Sequence, residues 1–305
     1  MKDAGAPQRD PVPIGEAATP PFVKLPNPAT LFSDRAERFA VLARDHALGP
    51  YLRFLAGLCQ AQHHALDDLP EPERPTPEAL ALAHEHAMPP LDRLRMAADP
   101  AYDAALDRLL SLCETLDMPD AARMALSRLA SADAATRIAT ARAALVDAPE
   151  TETLGEHVFV AAALQVHFAR LAAGLDAARL VAIGDGVCPV CGGPPVSSMV
   201  VGWQGAHGTR FCSCALCGTF WNYVRIKCAV CGSTAGIAYE EVEGGPGTVK
   251  AETCDSCRSY VKILQQHKDP ALDPVADDVA SLALDLLVRD SGYRRGGVNP
   301  FLLGY

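Results

Sequence analysis

The sequence predicts an α+β chain, in which an N-terminal all-α helical domain precedes two tandem four-cysteine ribbon units and a C-terminal helix. Three observations lead to this prediction. From about residue 30 to 180, apolar side chains recur at three- and four-residue intervals, as on one face of a helix. From 187 to about 265, β-branched and aromatic residues are separated by glycine-rich turns, as in hairpins. Nine of the eleven cysteines lie in this second region, between Cys188 and Cys257.

These patterns divide the chain into five segments. Seven prolines and the lack of a helical period predict an extended arm over residues 1–28. Residues 29–183 are expected to form a bundle of six to eight helices, punctuated by prolines. The first four-cysteine ribbon is placed at 184–226, the second at 227–268, and the C-terminal helix and tail at 269–305.

The last helix is expected to begin near Asp273 and Pro274 and to have one apolar face. That face would contain Val275, Val279, Leu282 and Leu286. Asp277 and Asp278 fall in the first turn, where carboxylates complement the helix dipole, and contact with a partner is the alternative role. The apolar residues of the final stretch, GYRRGGVNPFLLGY, would either dock on the ribbons or reach a partner.

Charge and hydropathy argue against several classes of protein. The net charge of −10 argues against wholesale wrapping of nucleic acid or an anionic membrane. No run approaches the ~20 apolar residues that span a bilayer, and the first residues contain no apolar stretch of signal-peptide length. The chain is therefore expected to be soluble and cytoplasmic, without membrane insertion. Thiols stay reduced in that compartment, so clustered cysteines indicate metal binding or catalysis before disulfides.

The clustered cysteines form a repeat. The four CxxC pairs are Cys188/Cys191, Cys214/Cys217, Cys228/Cys231 and Cys254/Cys257. A shift of 40 residues places the first pair on the third and the second on the fourth. The same shift places "VCPVCG" over "KCAVCG", Arg210 over Lys250 and Phe220 over Tyr260. This region is therefore interpreted as a tandem duplication.

The duplication predicts two metal sites. Site 1 consists of Cys188, Cys191, Cys214 and Cys217, and site 2 of Cys228, Cys231, Cys254 and Cys257. Four thiolates around one ion suit zinc or iron, and units of about 40 residues usually need such an ion to fold. Exchange of pairs, first with third and second with fourth, is the alternative grouping. Redox or disulfide chemistry at the CxxC pairs is less compatible with this sequence than metal binding, since the thioredoxin-like βαβ pattern is absent.

Cys212 lies outside the repeat, because the 40-residue shift places it on Glu252. It is either a small residue at a strand position, which we favour, or a reactive thiol beside Arg210 and a metal site.

With the repeat in place, the sequence resembles the formate dehydrogenase accessory protein FdhE family. The resemblance is carried by "CPVCGGPPVSSMV", "RFCSCALCGTFWNYVRIKCAVCG", "KAETCDSCRSYVKILQQHKDP", "VADDVASLALD" and "GYRRGGVNPFLL". It covers residues 187–303 closely, while the helical half matches in size and position with weaker motifs. Cys212 departs from the pattern expected for the family.

The resemblance implies a cytoplasmic accessory protein, needed for an active respiratory formate dehydrogenase. Such a protein acts on the molybdenum- or tungsten-containing catalytic subunit before that subunit is exported. The resemblance also implies a helical domain joined to two rubredoxin-like units, with iron as a plausible metal.

The first functional hypothesis is therefore a maturation factor that binds the immature catalytic subunit. Aromatic anchors and a basic rim on the ribbons would form the partner face. The candidate residues are Arg210, Phe220, Trp221, Arg225, Lys227 and Tyr260. The competing interpretation is that alternate members of "FWNYV" pack against the helical domain. Homo-oligomerisation is left open by the sequence.

Two further hypotheses come from other classes. A rubredoxin-like electron carrier would use iron held by four cysteines, and a red protein that bleaches reversibly with a reductant would identify it. Nucleic-acid binding through the ribbons is disfavoured, because residues 188–268 carry seven basic and five acidic side chains. Walker A, G-x-S-x-G and H-E-x-x-H motifs are absent from the sequence, so the chain is not expected to be an enzyme.

Overall fold

The computed structural model describes residues 20–146 and 153–302. Its N-terminal half is helical, as the apolar period predicts. The helices are α1 (Pro28–Leu42), α2 (Gly49–Ala65), α3 (Pro77–Glu85), α4 (Arg93–Met96), α5 (Pro100–Cys113), α6 (Asp120–Ser131), α7 (Ala134–Leu145) and α8 (Leu154–Ala173). The predicted bundle of six to eight helices is thus confirmed. None of the helices described is long and apolar enough to cross a bilayer.

Prolines and polar caps set the helix starts. Pro28 and Pro100 occupy the first turns of α1 and α5, where their missing N–H groups cost no hydrogen bond. The Asn27 side chain accepts a hydrogen bond from the backbone of Ala29, and Asp99 caps α5 in the same way. The local sequence therefore fixes where these helices begin.

Helix α8 lies at the centre of the bundle. It is apolar around nearly its whole circumference, and most of its residues are buried. It packs against α5, α6 and α7. One core cluster combines side chains of α8, such as Leu164, with Cys188 and Trp221 of the cysteine region. The helical and cysteine-rich regions therefore share a hydrophobic core.

The strands of the cysteine-rich region belong to a single eight-stranded sheet, which also takes in one strand from each end of the described chain. The strands are β1 (Val23–Lys24), β2 (Ser197–Val200), β3 (Arg210–Ser213), β4 (Phe220–Asn222), β5 (Ile237–Glu240), β6 (Val249–Cys254), β7 (Ser259–Leu264) and β8 (Arg294–Arg295). Their order is β1-β4-β3-β2-β7-β6-β5, with β8 beside β7. β5 begins 40 residues after β2, so the duplication read from the sequence is also present in the strands. The predicted α+β class, helices followed by sheet, is confirmed.

The two repeats are joined strand to strand. Each repeat is an antiparallel three-stranded unit, β2-β3-β4 in the first and β5-β6-β7 in the second. Parallel pairing of β2 with β7, in which Ser198 faces Ile263, makes the two units one sheet. The domain boundaries drawn from the sequence stay a prediction.

The first residues described close one edge of this sheet. Val23 and Lys24 of β1 pair with Trp221 and Phe220 of β4. Part of the predicted extended arm is therefore an edge strand, while residues 1–19 of that arm lie outside the described residues.

The predicted last helix is divided in two. α9 (Ala276–Ala280) and α10 (Leu282–Asp290) meet at Ser281, which has left the helical conformation at φ −93° and ψ 28°. The Ser281 hydroxyl donates to the Asp277 carbonyl at 2.7 Å, in addition to the backbone N–H of Ser281 at 3.0 Å, and such back-bonding often bends a helix. Of the predicted apolar face, Val275 and Val279 are buried and Leu282 packs against the core, but the prediction is wrong for Leu286, which is 38% exposed. The buried apolar residues of α10 are Leu284 and Val288.

The acidic pair and the C-terminal tail are both used within the chain. Asp277 and Asp278 lie in the first turn of α9, as predicted, but both are buried, so the alternative role of a partner contact is wrong. Asp277 pairs with Arg38 of α1 at 2.6 Å. The tail docks on the sheet through β8, and Phe301 is buried. The sequence left open whether the tail docks on the ribbons or reaches a partner. For the residues described, the tail docks on the sheet.

Candidate metal centres

The first cysteine cluster is built from two tight turns. In the turn before β2, the Gly192 N–H donates to the Cys188 carbonyl at 2.9 Å. Between β3 and β4, the Gly218 N–H donates to the Cys214 carbonyl at 3.1 Å. Both glycines have positive φ, which lets the chain reverse directly behind the second cysteine of each pair. The two turns face each other, with Cys188 Sγ 3.6 Å from Cys217 Sγ.

The second cluster repeats this geometry 40 residues later. The Gly232 N–H donates to the Cys228 carbonyl at 3.0 Å, and Cys231 Sγ lies 3.8 Å from Cys254 Sγ. At the position equivalent to Gly218 stands Arg258, which adopts φ +53°. A non-glycine residue in this conformation costs roughly 1–2 kcal/mol. A tight turn is thus kept here at the cost of local strain.

Both clusters fit a tetrahedral ion. A metal–sulfur distance of about 2.3 Å requires sulfur atoms about 3.8 Å apart. The eight cysteines fall into two groups of four, in each of which the sulfur atoms lie within 4.8 Å of one another. The groups are Cys188, Cys191, Cys214 and Cys217, and Cys228, Cys231, Cys254 and Cys257. The pairs are grouped as the duplication suggests rather than in the exchanged arrangement, and each group could hold a metal ion.

The electrostatics of the first cluster favour a bound cation. Burial, with hydrogen bonds to the neighbouring sulfur atoms, raises the pKa of Cys188 well above its usual value. Hydrogen bonds from the same neighbours lower the pKa of Cys214 well below its usual value. Buried thiols thus compete for ionisation when nothing balances their charge. A divalent cation removes that competition, since it stabilises all the thiolates together.

Cys212, the first cysteine of "CSCALC", is separate from both clusters. It lies on β3 opposite Trp221, and its side chain is fully buried. Burial raises its pKa to about 12, and the neighbouring Arg210 offsets this only in part. A buried thiol with a high pKa is a poor nucleophile. The interpretation of Cys212 as a packing residue therefore fits the structure better than the reactive-thiol alternative.

Substitution tests this division of roles. Cys212→Ala is expected to leave the metal content of the purified protein unchanged and to cost about 1 kcal/mol of stability through the small cavity it creates. Cys214→Ser, only two residues away, is expected to remove the ion of site 1. Elemental analysis by mass spectrometry compares the two variants. Loss of an ion from Cys212→Ala would show that Cys212 is a ligand.

The candidate partner residues are divided between surface and interior. Arg210, Trp221 and Tyr260 are each at most 2% exposed, so they cannot contact a partner in this conformation. Phe220 is half-buried, with its ring against Trp203 at 5.4 Å. A surface role can now be proposed mainly for Arg225, which is exposed, and Lys227, which is partly exposed. Lys227 also pairs with Asp185 at 2.6 Å.

Arg210 has a structural role that the sequence analysis missed. Its guanidinium donates to the Glu252 carboxylate at 2.8 Å and to the Lys227 carbonyl at 3.0 Å. It therefore joins a strand of the first repeat to one of the second and fixes the linker between them. The sequence contained a signal for this role, because the 40-residue repeat aligns Glu252 with Cys212 and so places a carboxylate at a strand position that is uncharged in the first repeat. A charged residue at a buried strand position requires an opposite charge nearby.

Comparison with known proteins identifies one family along nearly the whole chain. Three family models match, described as FdhE N-terminal over residues 20–185, FdhE central domain over 187–225 and FdhE C-terminal domain over 226–302. A protein FdhE homolog of Rhizobium meliloti (strain 1021) is 49% identical over 300 residues, 98% of each chain. A homolog from Proteus mirabilis (strain HI4320) is 37% identical, over 92% of this chain and 91% of its own length. The crystal structure of the FdhE protein from Pseudomonas aeruginosa superimposes with a TM-score of 0.83 at 36% identity, over 93% of this chain and 99% of that one.

Proposed function

Because the chain belongs to the FdhE family, we propose that it is an accessory factor for formate dehydrogenase that binds the immature catalytic subunit in the cytoplasm. Membership over the whole chain is the observation that carries this proposal. A reducing compartment suits it, because the eight clustered thiols must stay reduced to bind an ion.

We further propose that sites 1 and 2 each hold one iron or zinc ion. A bound ion cross-links the two turns of its site. The four cysteines of each site fill a tetrahedral shell, so no coordination position is left for a substrate. This supports a structural role for the ions and a protein that is not itself an enzyme.

The linker between the two repeats offers a surface suited to a partner. Val224 and Ile226 are 62% and 61% exposed, and Arg225 stands between them. Tyr239 of β5, 42% exposed, donates from its hydroxyl to the Arg225 carbonyl at 3.3 Å. We call these four residues, Val224, Arg225, Ile226 and Tyr239, the linker patch. Bulky apolar groups gathered beside an arginine and a tyrosine are typical of protein interfaces.

The double variant Val224→Ser/Ile226→Ser tests this proposal. It is expected to weaken co-purification with the catalytic subunit of a formate dehydrogenase, with at least a tenfold rise in Kd, about 1.4 kcal/mol. Its fold and metal content should not change, because both side chains are exposed. Met124→Ser on α6, where the side chain is 61% exposed, is the matched control. Wild-type binding by the double variant would exclude the linker patch, and no binding by the wild type would contradict the function itself.

Electron transfer is the second candidate function. It is favoured by the exposure of Cys231 and the partial exposure of Cys257, because an exposed cluster lies close to any redox partner that docks there. The colour of the protein and its response to a reductant distinguish this function from a purely structural role.

A further inference from the structure

We propose that the two metal sites differ in function, with site 1 holding its ion permanently and site 2 exchanging its ion with external thiolates. The inference rests on the metal binding proposed above. It follows from a contrast in packing between two clusters with the same ligand set, and it makes site 2 a point at which a metal ion can be received or given up.

The contrast is seen first in the cysteines themselves. All four cysteines of site 1 are at most 2% exposed. In site 2, Cys228 and Cys254 are buried, whereas Cys231 is exposed and Cys257 is partly exposed. The repeat places Cys231 on Cys191 and Cys257 on Cys217. Equivalent ligands in equivalent turns thus differ in how far they are covered.

The helical domain covers both turns of site 1. Pro89 lies so close to Gly192 that a β-carbon there would be 3.1 Å from the proline ring. The backbone of this covering segment is also tied to the turn, since the Leu91 N–H donates to the Val190 carbonyl at 3.1 Å. On the other turn, a β-carbon at Gly218 would lie 2.9 Å from the Leu31 side chain.

A buried polar contact ties α8 to the second turn of site 1. The Gln165 amide of α8 donates to the Ala215 carbonyl at 2.9 Å, and Gln165 is 2% exposed. The site 1 cysteines also belong to the main core cluster. A pocket lined by Arg93, Gly193 and Cys214 adjoins this side of the site, yet Cys214 is only 1% exposed. An external ligand therefore needs a local opening of the packed core before it can reach the site 1 sulfur atoms, and openings of packed core elements cost more free energy than those of surface turns.

The turns that contain the two outer cysteines of site 2 lie at the surface. The hydroxyls of Ser233 and Ser256 lie 2.9 Å apart and link the two turns at the surface. Tyr293 donates to Asp255 at 2.6 Å, and Asp255 is exposed. These contacts hold the turns together but leave Cys231 accessible. No helix has to move for a ligand to reach it.

Exchange at site 2 is a simple ligand substitution. An external thiol loses its proton, and its thiolate takes the coordination position that Cys231 leaves. Cys231 takes up a proton as its own sulfur departs, so charge is balanced and neither oxidant nor reductant is needed. Cys257 can be replaced in the same way. The buried Cys228 and Cys254 stay bound to the ion until the acceptor supplies further thiolates. The acceptor is thus a molecule or protein surface that presents several thiolates.

Chelation of the zinc-loaded full-length protein tests the proposal. Elemental analysis before chelation is expected to give two ions per chain. A chromogenic chelator in excess should then release one equivalent at least about tenfold faster than the other, a difference of ~1.4 kcal/mol in activation free energy. During the fast phase, iodoacetamide should modify Cys231 and Cys257, as mapped by peptide mass spectrometry, and not Cys191 or Cys217.

Two serine variants at equivalent repeat positions serve as a matched pair. Cys231→Ser should abolish the fast phase and keep the slow ion, while Cys191→Ser should lose the slow ion. Release of both ions at one rate, or earlier modification of Cys191, overturns the exchange proposal alone. Fewer than two ions at the start overturns metal binding together with it. If Cys191→Ser does not fold, the wild-type release rates and modification pattern still decide the question.

Discussion

Removing both ions from the protein with a strong chelator is expected to unfold the sheet formed by β2–β7. Metal binding in small zinc domains contributes ~10–16 kcal/mol per site. The net stability of a whole protein is only ~5–15 kcal/mol, so the sheet should not survive the loss of both ions. Each repeat also has short strands and little apolar mass of its own. The helical domain should lose stability too, because the site 1 cysteines share its core cluster.

Circular dichroism and limited proteolysis measure this outcome. Loss of strand signal is expected together with new cleavage sites between residues 184 and 302. Cys113→Ala is the control, because Cys113 is a buried cysteine on α5 that lies outside both clusters. This variant should keep its ions and resist protease when untreated. A chelated wild-type protein that retains its melting temperature and protease resistance would contradict the proposal that the ions hold the sheet together.

The grouping of the sulfur atoms could be predicted from sequence because it depends on local geometry. Two residues between paired cysteines, with glycine next after Cys191, Cys217 and Cys231, specify tight turns that point two sulfur atoms the same way. The 40-residue repeat then indicates which turns belong together. The helices were predictable for a similar reason, since their apolar period and their proline starts are features of short segments.

Features that depend on distant segments were not predictable. Arg210 looked like a surface cation, but its partner Glu252 lies in the other repeat, and only the pairing of β2 with β7 brings the two repeats side by side. The different exposure of the two clusters has the same origin. Cys191 and Cys231 have similar neighbours in sequence, and the helical domain covers only the first. Local sequence thus specifies the turns, and tertiary packing specifies what can reach them.

A buried charge network joins the last helices and the tail to the sheet. Lys262 of β7 pairs with Asp285 of α10 at 2.5 Å and lies 3.5 Å from Asp278 of α9. Arg295 of β8 pairs with both carboxylates, at 2.5 Å and 2.6 Å. Asn299 completes the network by donating to Asp278 at 2.8 Å. Two cations balance two anions, so the network is neutral although its side chains are almost fully excluded from solvent.

Breaking that balance is expected to be strongly destabilising. Lys262→Met leaves two buried carboxylates with one cation, and it should cost ~3–5 kcal/mol in urea unfolding. Lys268→Met makes the same substitution six residues further along the chain, where the side chain is exposed to solvent, and it should change stability by less than ~0.5 kcal/mol. The double variant Lys262→Met/Asp285→Asn restores neutrality, because Arg295 and Asp278 remain as one pair. Its cost should therefore fall below the sum of the two single variants by ~0.5–3 kcal/mol. Additive costs would mean that the four charges do not act as one network, and that the tail is held instead by the apolar contacts of Phe301 and Leu302.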